Sequence, residues 1–278
     1  MKETELKALI RLLDDDDPEI GTHIVQTLIS LGGQVIPQLE QAWETEKNEL
    51  AQSRIEDIIH IIQSKNTIDA LRQWYKSGND SLLEGWFLLT QYHFPEIRLE
   101  DYKNFINRLV NKTWLELRSG MNTVDKLRIV NRMMFDREKY KADRKNPYDP
   151  ENYLINRVLM DKNGGPISLC LLYMIICNEL DLPVQGVILP GYFVLTVPGH
   201  EDELYIDVFN RGTFFTYKDL TRYLKDLNVT NHEQYYRASS PVQILNEMIQ
   251  TLIVCFQKKK NQEKVESLER LMKEINAE

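Results

Sequence analysis

The sequence predicts an α+β fold that is mostly helical, and three observations lead to this prediction. Residues 1–135 contain apolar side chains at helical spacing and no alternating pattern typical of strands. Strand-forming residues appear between 184 and 209, directly after one helix that is apolar on nearly every face. Helical spacing returns in residues 239–278. We therefore expect a helical region over 1–135, an α+β core over 136–238 and a helical hairpin over 239–278.

Short helices with clear start and stop signals fill the first region. Aspartates at 14–17 precede Pro18, and proline is well tolerated in the first turn of a helix. The pair Gly32-Gly33 predicts that this helix ends there, because glycine adopts the left-handed conformation at low cost. Paired short helices of this kind resemble a HEAT-type repeat over residues 5–62. Further helices are predicted over 55–62, 67–75, 82–92, 99–117 and 124–135.

Tryptophans and histidines on these helices are expected to be structural. Trp74, Trp86 and Trp114 fall within predicted helices, where aromatic side chains belong to the core far more often than to a cofactor site. Three histidines fall on helical segments of the same region: His23, His60 and His93. Each lacks a second ligand at a metal-binding spacing, so we expect no metal site here.

The pattern of the sequence changes after residue 135. Residues 136–145 are charged and lack periodicity, which predicts a loop or linker. Two glycines followed by Pro166 then predict a tight loop that leads into a helix over 167–180, which we expect to be buried. Strands are predicted over 184–189, 193–197 and 204–209, with a hairpin loop at 198–202. One buried helix would then pack on an antiparallel sheet.

Five short motifs in this region are distinctive in their order and spacing. They are Asn146-Pro147-Tyr148-Asp149-Pro150, Asn163-Gly164-Gly165-Pro166-Ile167-Ser168-Leu169, Leu182-Pro183, Pro190-Gly191-Tyr192-Phe193 and Ile206-Asp207-Val208-Phe209. Together they resemble the SirB-type branch of the transglutaminase-like superfamily. The resemblance implies a papain-type core with a helical N-terminal region and a TPR-like tail. Residues 241–275 match such a tail, because two apolar helical stripes flank a polar turn at 258–262.

The resemblance also implies where a catalytic triad would lie. In the wider superfamily a cysteine begins the buried helix, a histidine lies on the next strand and an aspartate lies on the strand after it. The helix N-terminus lowers the pKa of the thiol, the histidine shuttles its proton and the aspartate orients the imidazole. Here positions 166–168 contain no cysteine, and Tyr192 occupies the histidine position. The aspartate is retained as Asp207, although Val208 follows it where the branch commonly has proline.

These differences favour a non-catalytic protein that binds an unknown protein or peptide partner and acts as a scaffold. Helical repeats such as those predicted on either side of the core commonly present binding surfaces. The predicted binding groove consists of Asn163, Gly164, Gly165, Tyr192 and Phe193. Tyr192 would either fill the former histidine space or line this groove. Asp207 is expected to cap a loop or to pair with Asn163 or Tyr192.

A diverged acyl-transfer or amide-hydrolysing enzyme is the alternative. Cys170 lies about one turn inside the helix and Ser168 lies in its first turn, so either would need Asp207 and a base from elsewhere. The competing interpretation is structural, because Cys170 and Cys177 share one face of an apolar helix, where a buried cysteine is inert. Tyr192 is a poor base at neutral pH, since the ordinary pKa of tyrosine is ~10. The two remaining histidines, expected at the surface, are His200 and His232.

Charge and composition narrow the possible partners further. The net charge is −8, and the first 60 residues carry all of it, with five Lys/Arg against thirteen Asp/Glu. An acidic surface repels phosphate backbones, and the basic cluster Lys258-Lys259-Lys260 lies in the predicted turn of the tail. The apolar runs fall short of the ~20 residues of a membrane helix, and three cysteines do not form a disulfide framework. We therefore expect a cytoplasmic protein that binds no nucleic acid, membrane, metal or cofactor.

Overall fold

The computed structural model describes residues 8–10, 12–14, 18–78, 81–199, 204–229 and 233–276. Helices dominate this part of the chain, and its strands form one four-stranded and one two-stranded sheet. The predicted α+β, mostly helical fold class is therefore confirmed. The helices of the first half are α1 (Pro18–Leu31), α2 (Ile36–Thr45), α3 (Glu49–Ser77), α4 (Leu82–Gln91), α5 (Leu99–Trp114) and α6 (Thr123–Asn131).

Helix α3 is one continuous helix of 29 residues, whereas the sequence predicted separate helices over 55–62 and 67–75. This stretch contains neither glycine nor proline, so the sequence has no local signal that would end a helix between residues 62 and 67. Its first turn is capped by the Asn48 side chain, which accepts from the amide of Leu50 at 2.9 Å. Its end is marked by Gly78 in the left-handed conformation, with φ 64°.

The prediction that all three tryptophans are buried was wrong for Trp114. Trp74 and Trp86 are buried, with 3% and 0% exposure, but Trp114 is 64% exposed. The buried face of α5 consists of Ile106, Leu109 and Thr113. Trp114 follows that face by one residue, and consecutive helical residues are about 100° apart, so its side chain is directed away from the core.

Helix α6 ends before residue 135, where the sequence predicted its end. It stops at Asn131 and continues as a π-helical segment, Arg132–Arg137. The amide of Glu138 donates to the carbonyl of Met133 at 2.9 Å, which is the wider hydrogen-bonding pattern of a π-helix. Three consecutive residues of this segment are buried, namely Met133, Met134 and Phe135.

A short parallel ladder lies where the sequence predicted a loop or linker over 136–145. Strand β1 (Lys141–Ala142) pairs with β2 (Asn163–Gly164), which immediately precedes the buried helix. The amide of Lys141 donates to the carbonyl of Lys162 at 3.0 Å. The pairing joins segments about twenty residues apart, so no local periodicity in the sequence indicated it.

The core consists of a buried helix packed on an antiparallel sheet, as expected. Its helices are α7 (Ile155–Asp161), α8 (Pro166–Glu179) and α9 (Tyr217–Asp226), and its large sheet contains β3 (Gln185–Leu189), β4 (Tyr192–Val197), β5 (Leu204–Asp207) and β6 (Thr213–Thr216). The four strands pair in sequence order. Every residue of α8 from Ile167 to Cys177 is buried. Pro190 and Gly191, the latter with φ 68°, form the tight turn between β3 and β4.

The last strand of the large sheet and the helix after it were not predicted, and the predicted strand before them is shorter. Strand β5 ends at Asp207 rather than at 209, because residues Val208–Asn210 form a 3-10 turn. Strand β6 and helix α9 follow. The start of α9 carries a recognisable signal, since Thr216 and Asp219 form a capping box with a hydroxyl-to-carboxylate distance of 2.7 Å.

A hairpin of two helices, α10 (Pro241–Lys258) and α11 (Gln262–Ile275), completes the chain. The large hydrophobic core runs from Leu71 to Ile275, and a separate smaller core lies among α1, α2 and the first half of α3. The large core therefore includes residues on both sides of the boundaries predicted at 135 and 238. No helix in the described part of the chain is long and apolar enough to span a membrane.

Candidate functional site

A cleft of about 430 Å³ opens at the N-terminal end of α8. Its floor is the first turn of α8, one wall is a face of α10, and the remaining walls are aromatic side chains and loop residues. Its lining consists of Asp143, Pro147, Tyr148, Tyr153, Gly165, Pro166, Ile167, Gly191, Tyr192, Phe193, Phe209, Glu247, Gln250, Thr251, Val254 and Cys255. The cleft thus lies at the place where the sequence resemblance puts a catalytic nucleophile.

The start of α8 is held rigidly by its own first turn. Ser168 Oγ accepts from the amide of Gly165 at 3.0 Å and donates to the carbonyl of Asn152 at 2.5 Å. A Cβ added at Gly165 would clash with the ring of Tyr153, so this position requires glycine. Ser168 is 0% exposed and is engaged on both sides. Its hydroxyl therefore caps the helix and is directed away from the cleft.

Tyr192 and Asp207 come together at one side of the cleft. Tyr192 begins β4 and Asp207 ends β5, and the tyrosine hydroxyl donates to Asp207 Oδ1 at 2.9 Å. The same carboxylate oxygen accepts from the amide of Asn210 at 3.0 Å. Asp207 thus both caps the turn after β5 and pairs with Tyr192, and none of the described hydrogen bonds joins it to Asn163. The ring of Phe209 meets Tyr192 edge-on at 6.1 Å between centroids.

The phenol of Tyr192 cannot serve as a base near neutral pH. Burial raises its pKa well above the ordinary value, and the charge of Asp207 and the hydrogen bond to it raise the pKa further. The hydroxyl is therefore protonated and acts as a donor. A tyrosine in this state orients the carboxylate but takes no proton from a nucleophile.

The cysteine candidates lie behind the cleft rather than in it. Cys170 is 0% exposed, with Sγ 3.7 Å from the carbonyl oxygen of Phe193. Burial raises the pKa of the Cys170 thiol, and the charge of Asp207 adds to this effect. Cys177, further along α8, is buried as well, and burial raises its pKa. Neither thiol has the lowered pKa that a thiolate nucleophile requires.

The five residues predicted to form the groove divide into two sets. Gly165, Tyr192 and Phe193 line the cleft, whereas Asn163 and Gly164 form β2 behind it. The Asn163 side chain lies near the carboxylate of Asp143 and contributes to lowering its pKa. The Asn163 side chain therefore supports a loop that lines the cleft without itself facing it.

Several lining residues were missed in the sequence analysis, and Asp143 is the most connected of them. Burial acts to raise the pKa of its carboxyl, but hydrogen bonds from the amides of Asn146 and Lys145 and from the side chains of Asn152 and Asn163 lower it more. Asp143 is therefore a charged anchor for the loop. Its position inside a charged stretch without periodicity left no sequence signal of this role.

The wall formed by α10 was also missed, although its pattern is visible in the sequence. Glu247, Gln250, Thr251 and Val254 lie at spacings of three, four and seven on a helix that is otherwise largely apolar. Cys255 follows on the same face, and burial raises the pKa of its thiol to about 12. Burial also raises the pKa of Glu247. The polar residues on one face of this otherwise apolar helix are the sequence signal from which the wall could have been predicted.

The remaining histidines and possible metal ligands lie away from this cleft. His93 is half-buried between Tyr92 and Phe256, with ring-centroid distances of 5.6 and 5.8 Å. Among the described residues, no group of three or more His, Cys, Asp or Glu side chains could hold a metal ion. His200 and His232 lie outside the described residues.

The class of protein follows from the buried helix on a meander sheet, the cleft at the N-terminus of that helix and the aspartate at the end of a neighbouring strand. These features agree with a transglutaminase-like core, and positions 166–168 at the start of the helix contain no cysteine. The sequence profile of the transglutaminase-like superfamily matches residues 100–250, and the chain belongs to that superfamily.

Individual relatives are distant and differ in their names. A UPF0162 protein of Xylella fastidiosa is 28% identical over 135 residues, which make up 47% of this chain and 47% of that protein. F-box only protein 21 of Homo sapiens is 27% identical over 229 residues, which make up 70% of this chain and 36% of that protein. A UPF0162 protein of Pseudomonas aeruginosa is 25% identical over 173 residues, covering 62% and 63% of the two chains. The matched segments thus span about half of the Xylella protein and about a third of the human one. No solved structure matches the chain.

Proposed function

We propose that this protein is a non-catalytic member of the SirB-type branch that binds an extended segment of a protein or peptide partner in the cleft at the start of α8. The observation that carries the proposal is the hydrogen bond from Tyr192 to Asp207, at the position where the superfamily has a catalytic histidine. The aspartate has no imidazole to orient there. The pair thus leaves an open cleft beside a position that has lost its catalytic groups.

The lining of the cleft suits a peptide. Aromatic side chains from three segments surround it, including Tyr148 and Phe209, and aromatic walls are common in sites that bind peptides and small ligands. The first turn of α8 has backbone amides without partners inside the helix, and these suit the carbonyl oxygens of an extended chain. A volume of about 430 Å³ accommodates one or two residues of such a chain.

The flanking helices support a scaffold role. We assign residues 1–135 to a HEAT-like region and 239–278 to a TPR-like hairpin, with the transglutaminase-like core over 136–238. The hairpin is part of the site, since α10 supplies one wall of the cleft. The names of the relatives support a module used in different contexts, because one is called an F-box protein and the others are not. The proposed partner is a cytoplasmic protein or peptide, with no nucleic acid, membrane or cofactor involved.

The test is selection of random unstructured decapeptides by the full chain, followed by affinity measurement on the selected sequences. Val254 lies on the outer part of the α10 wall and is 41% exposed, so Val254→Trp adds bulk to the cleft without entering the core. We expect this variant to lose at least about tenfold in affinity for the selected peptides. Gln257→Trp is the matched control, because Gln257 is exposed on the same helix but does not line the cleft.

The two variants separate a cleft ligand from a surface ligand. Equal loss of binding in both would mean that peptides bind to α10 outside the cleft. Full binding by Val254→Trp, or a wild-type chain that selects no peptide, would refute the proposed function.

A further inference from the structure

One carboxylate of the cleft has no partner among the described contacts. Glu247 lies on the α10 wall and is partly buried, yet its carboxylate takes part in none of the described hydrogen bonds or ion pairs. Burial raises its pKa, and no neighbouring cation acts in the opposite direction. A partly desolvated acid without a partner is costly to keep, so a ligand that supplies a positive charge would be stabilised there.

The other charged residues that line the cleft also favour a positively charged ligand. The lining, all of which lies in the described part of the chain, contains two acids, Asp143 and Glu247, and no lysine, arginine or histidine. Asp143 keeps its negative charge, because the hydrogen bonds it accepts lower its pKa. The side chains that line the cleft therefore carry only negative formal charge, although the protein carries its excess acidic residues in the first 60 positions.

Cations at the rim are engaged with other groups. Lys259 pairs with Asp149 at 2.9 Å. Arg144 donates to Asn210 Oδ1 at 2.9 Å and stacks over the ring of Phe209 at 4.7 Å. Lys258 Nζ lies over the ring of Tyr148, 5.4 Å from its centroid. Each of these cations is held by the rim, so none neutralises Glu247 in the cleft.

The aromatic walls complete the chemistry of the site. Tyr148, Tyr192 and Phe209 line the same space as Glu247. Cations of the rim lie over the rings of Tyr148 and Phe209, whereas no described cation lies over the ring of Tyr192. A cation attracted to an aromatic face gains about 0.5–2 kcal/mol, depending on how far it is desolvated. The aliphatic stem of a lysine or arginine would lie along these rings while its charged end reaches the carboxylate.

We infer that the cleft selects a lysine or arginine side chain of the bound peptide, with Glu247 as the residue that receives its charge. This inference rests on the proposed peptide-binding function and adds the side-chain chemistry that the cleft recognises. Glu247 determines specificity, and the first turn of α8 holds the main chain of the peptide. Neutral and acidic side chains lack the charge that compensates the partly buried carboxylate.

The test uses pools of acetylated, amidated heptapeptides with one fixed central residue and random flanks. The central residue is lysine, arginine, norleucine, citrulline or glutamate, so each cation has a neutral counterpart of similar shape. We expect the lysine and arginine pools to bind the full chain at least about tenfold more tightly than the norleucine and citrulline pools. Spermidine, a cation without a peptide main chain, is expected to compete weakly.

Variants of the carboxylate attribute the preference to one residue. Glu247→Gln should bind all five pools alike, whereas Glu269→Gln, an exposed acid on α11, should keep the preference of the wild type. Gln250→Glu adds a second acid one turn away on the same wall and should strengthen the preference for cations. The Gln250→Glu variant keeps the test informative if Glu247→Gln folds poorly.

The outcomes distinguish this inference from the proposed function. Equal binding of the lysine and norleucine pools by the wild type would overturn the inference and leave peptide binding in place. The inference also fails if Glu247→Gln folds and keeps the cation preference, or if spermidine binds as tightly as the lysine pool. A wild-type chain that binds none of the pools would count against both proposals.

Discussion

Among single residues, Tyr192 differs most in chemistry from the residue that the superfamily uses at its position. Its hydroxyl donates to Asp207 at 2.9 Å in a partly buried setting. We expect Tyr192→Phe to lower the free energy of unfolding by about 1 kcal/mol, because the carboxylate loses a donor while the ring contacts remain. Urea denaturation measures this change. Tyr148→Phe is the control, since the Tyr148 hydroxyl makes none of the described hydrogen bonds, and an equal loss there would refute the explanation.

The cysteines give a second prediction at the level of residues. All three are buried, and burial raises the pKa of each thiol, to about 12 for Cys255. We expect iodoacetamide to label none of them rapidly in the native protein at neutral pH, because the reactive thiolate is scarce. On raising the pH, Cys255 should react first, since it lines the cleft. Peptide mass spectrometry follows each site.

Rapid labelling of Cys170 near neutral pH would contradict this picture. It would indicate an activated thiolate and would bring forward the acyl-transfer alternative with Asp207. In that case, loss of an enzymatic activity in a Ser168→Ala, Cys170→Ala double variant would be the decisive measurement.

Among the elements, the contact between the segment that follows α4 and the C-terminal hairpin includes a half-buried histidine, His93. Burial lowers the pKa of His93 to about 4, and the charge of Lys264 on α11 contributes to this shift. The fold therefore favours the neutral imidazole. Tyr92 next to it bonds to Ser267 of α11 at 2.6 Å, so the histidine lies within the docking contact of the hairpin.

This shift predicts how stability depends on pH. The pKa is lowered on folding, so the unfolded chain binds the extra proton between pH 6.5 and about 4. The free energy of unfolding is therefore highest above pH 6.5 and falls as the pH decreases toward 4. The total decrease is roughly 3 kcal/mol. Urea denaturation at several pH values measures it. His93→Phe should remove this part of the pH dependence, and an unchanged pH profile in that variant would contradict the prediction.

For the whole molecule, α3 is the element shared by two hydrophobic cores. Its first half packs in the small N-terminal core through Ile55 and Ile58, and its second half packs in the large core through Leu71 and Trp74. The exposed stretch around Lys65 joins the two halves. The continuity of this helix therefore couples the unfolding of the two cores.

Breaking the helix between the cores should uncouple them. Proline inside a helix removes a hydrogen bond and clashes with the preceding turn, at a cost of about 3 kcal/mol. We expect Lys65→Pro to unfold in two thermal steps, the smaller core first, whereas the control Lys65→Ala keeps the wild-type transition. Calorimetry distinguishes these outcomes, and one cooperative transition in the proline variant would refute the coupling.

Much of the core was predictable because its signals are local. The uninterrupted apolar character of α8 indicates a helix buried on all sides, and the glycines and proline before it mark its start. The turn at Pro190-Gly191 follows from the torsion angles these residues prefer. Motif order then indicated the superfamily, and with it the positions of Tyr192 and Asp207. Each of these inferences depends on neighbours within a few residues.

The cleft itself was only partly predictable, because it is made by segments far apart in the chain. Its α10 wall is brought against the start of α8 by packing of the hairpin, and Glu247 therefore faces residues that lie about 40 to 100 positions earlier in the chain. The exposure of Trp114 and the continuity of α3 likewise depend on which faces meet in the folded chain. Local patterns establish which segments form helices and strands. Packing between distant segments establishes which side chains share a space, since that free energy arises only when the faces are brought together.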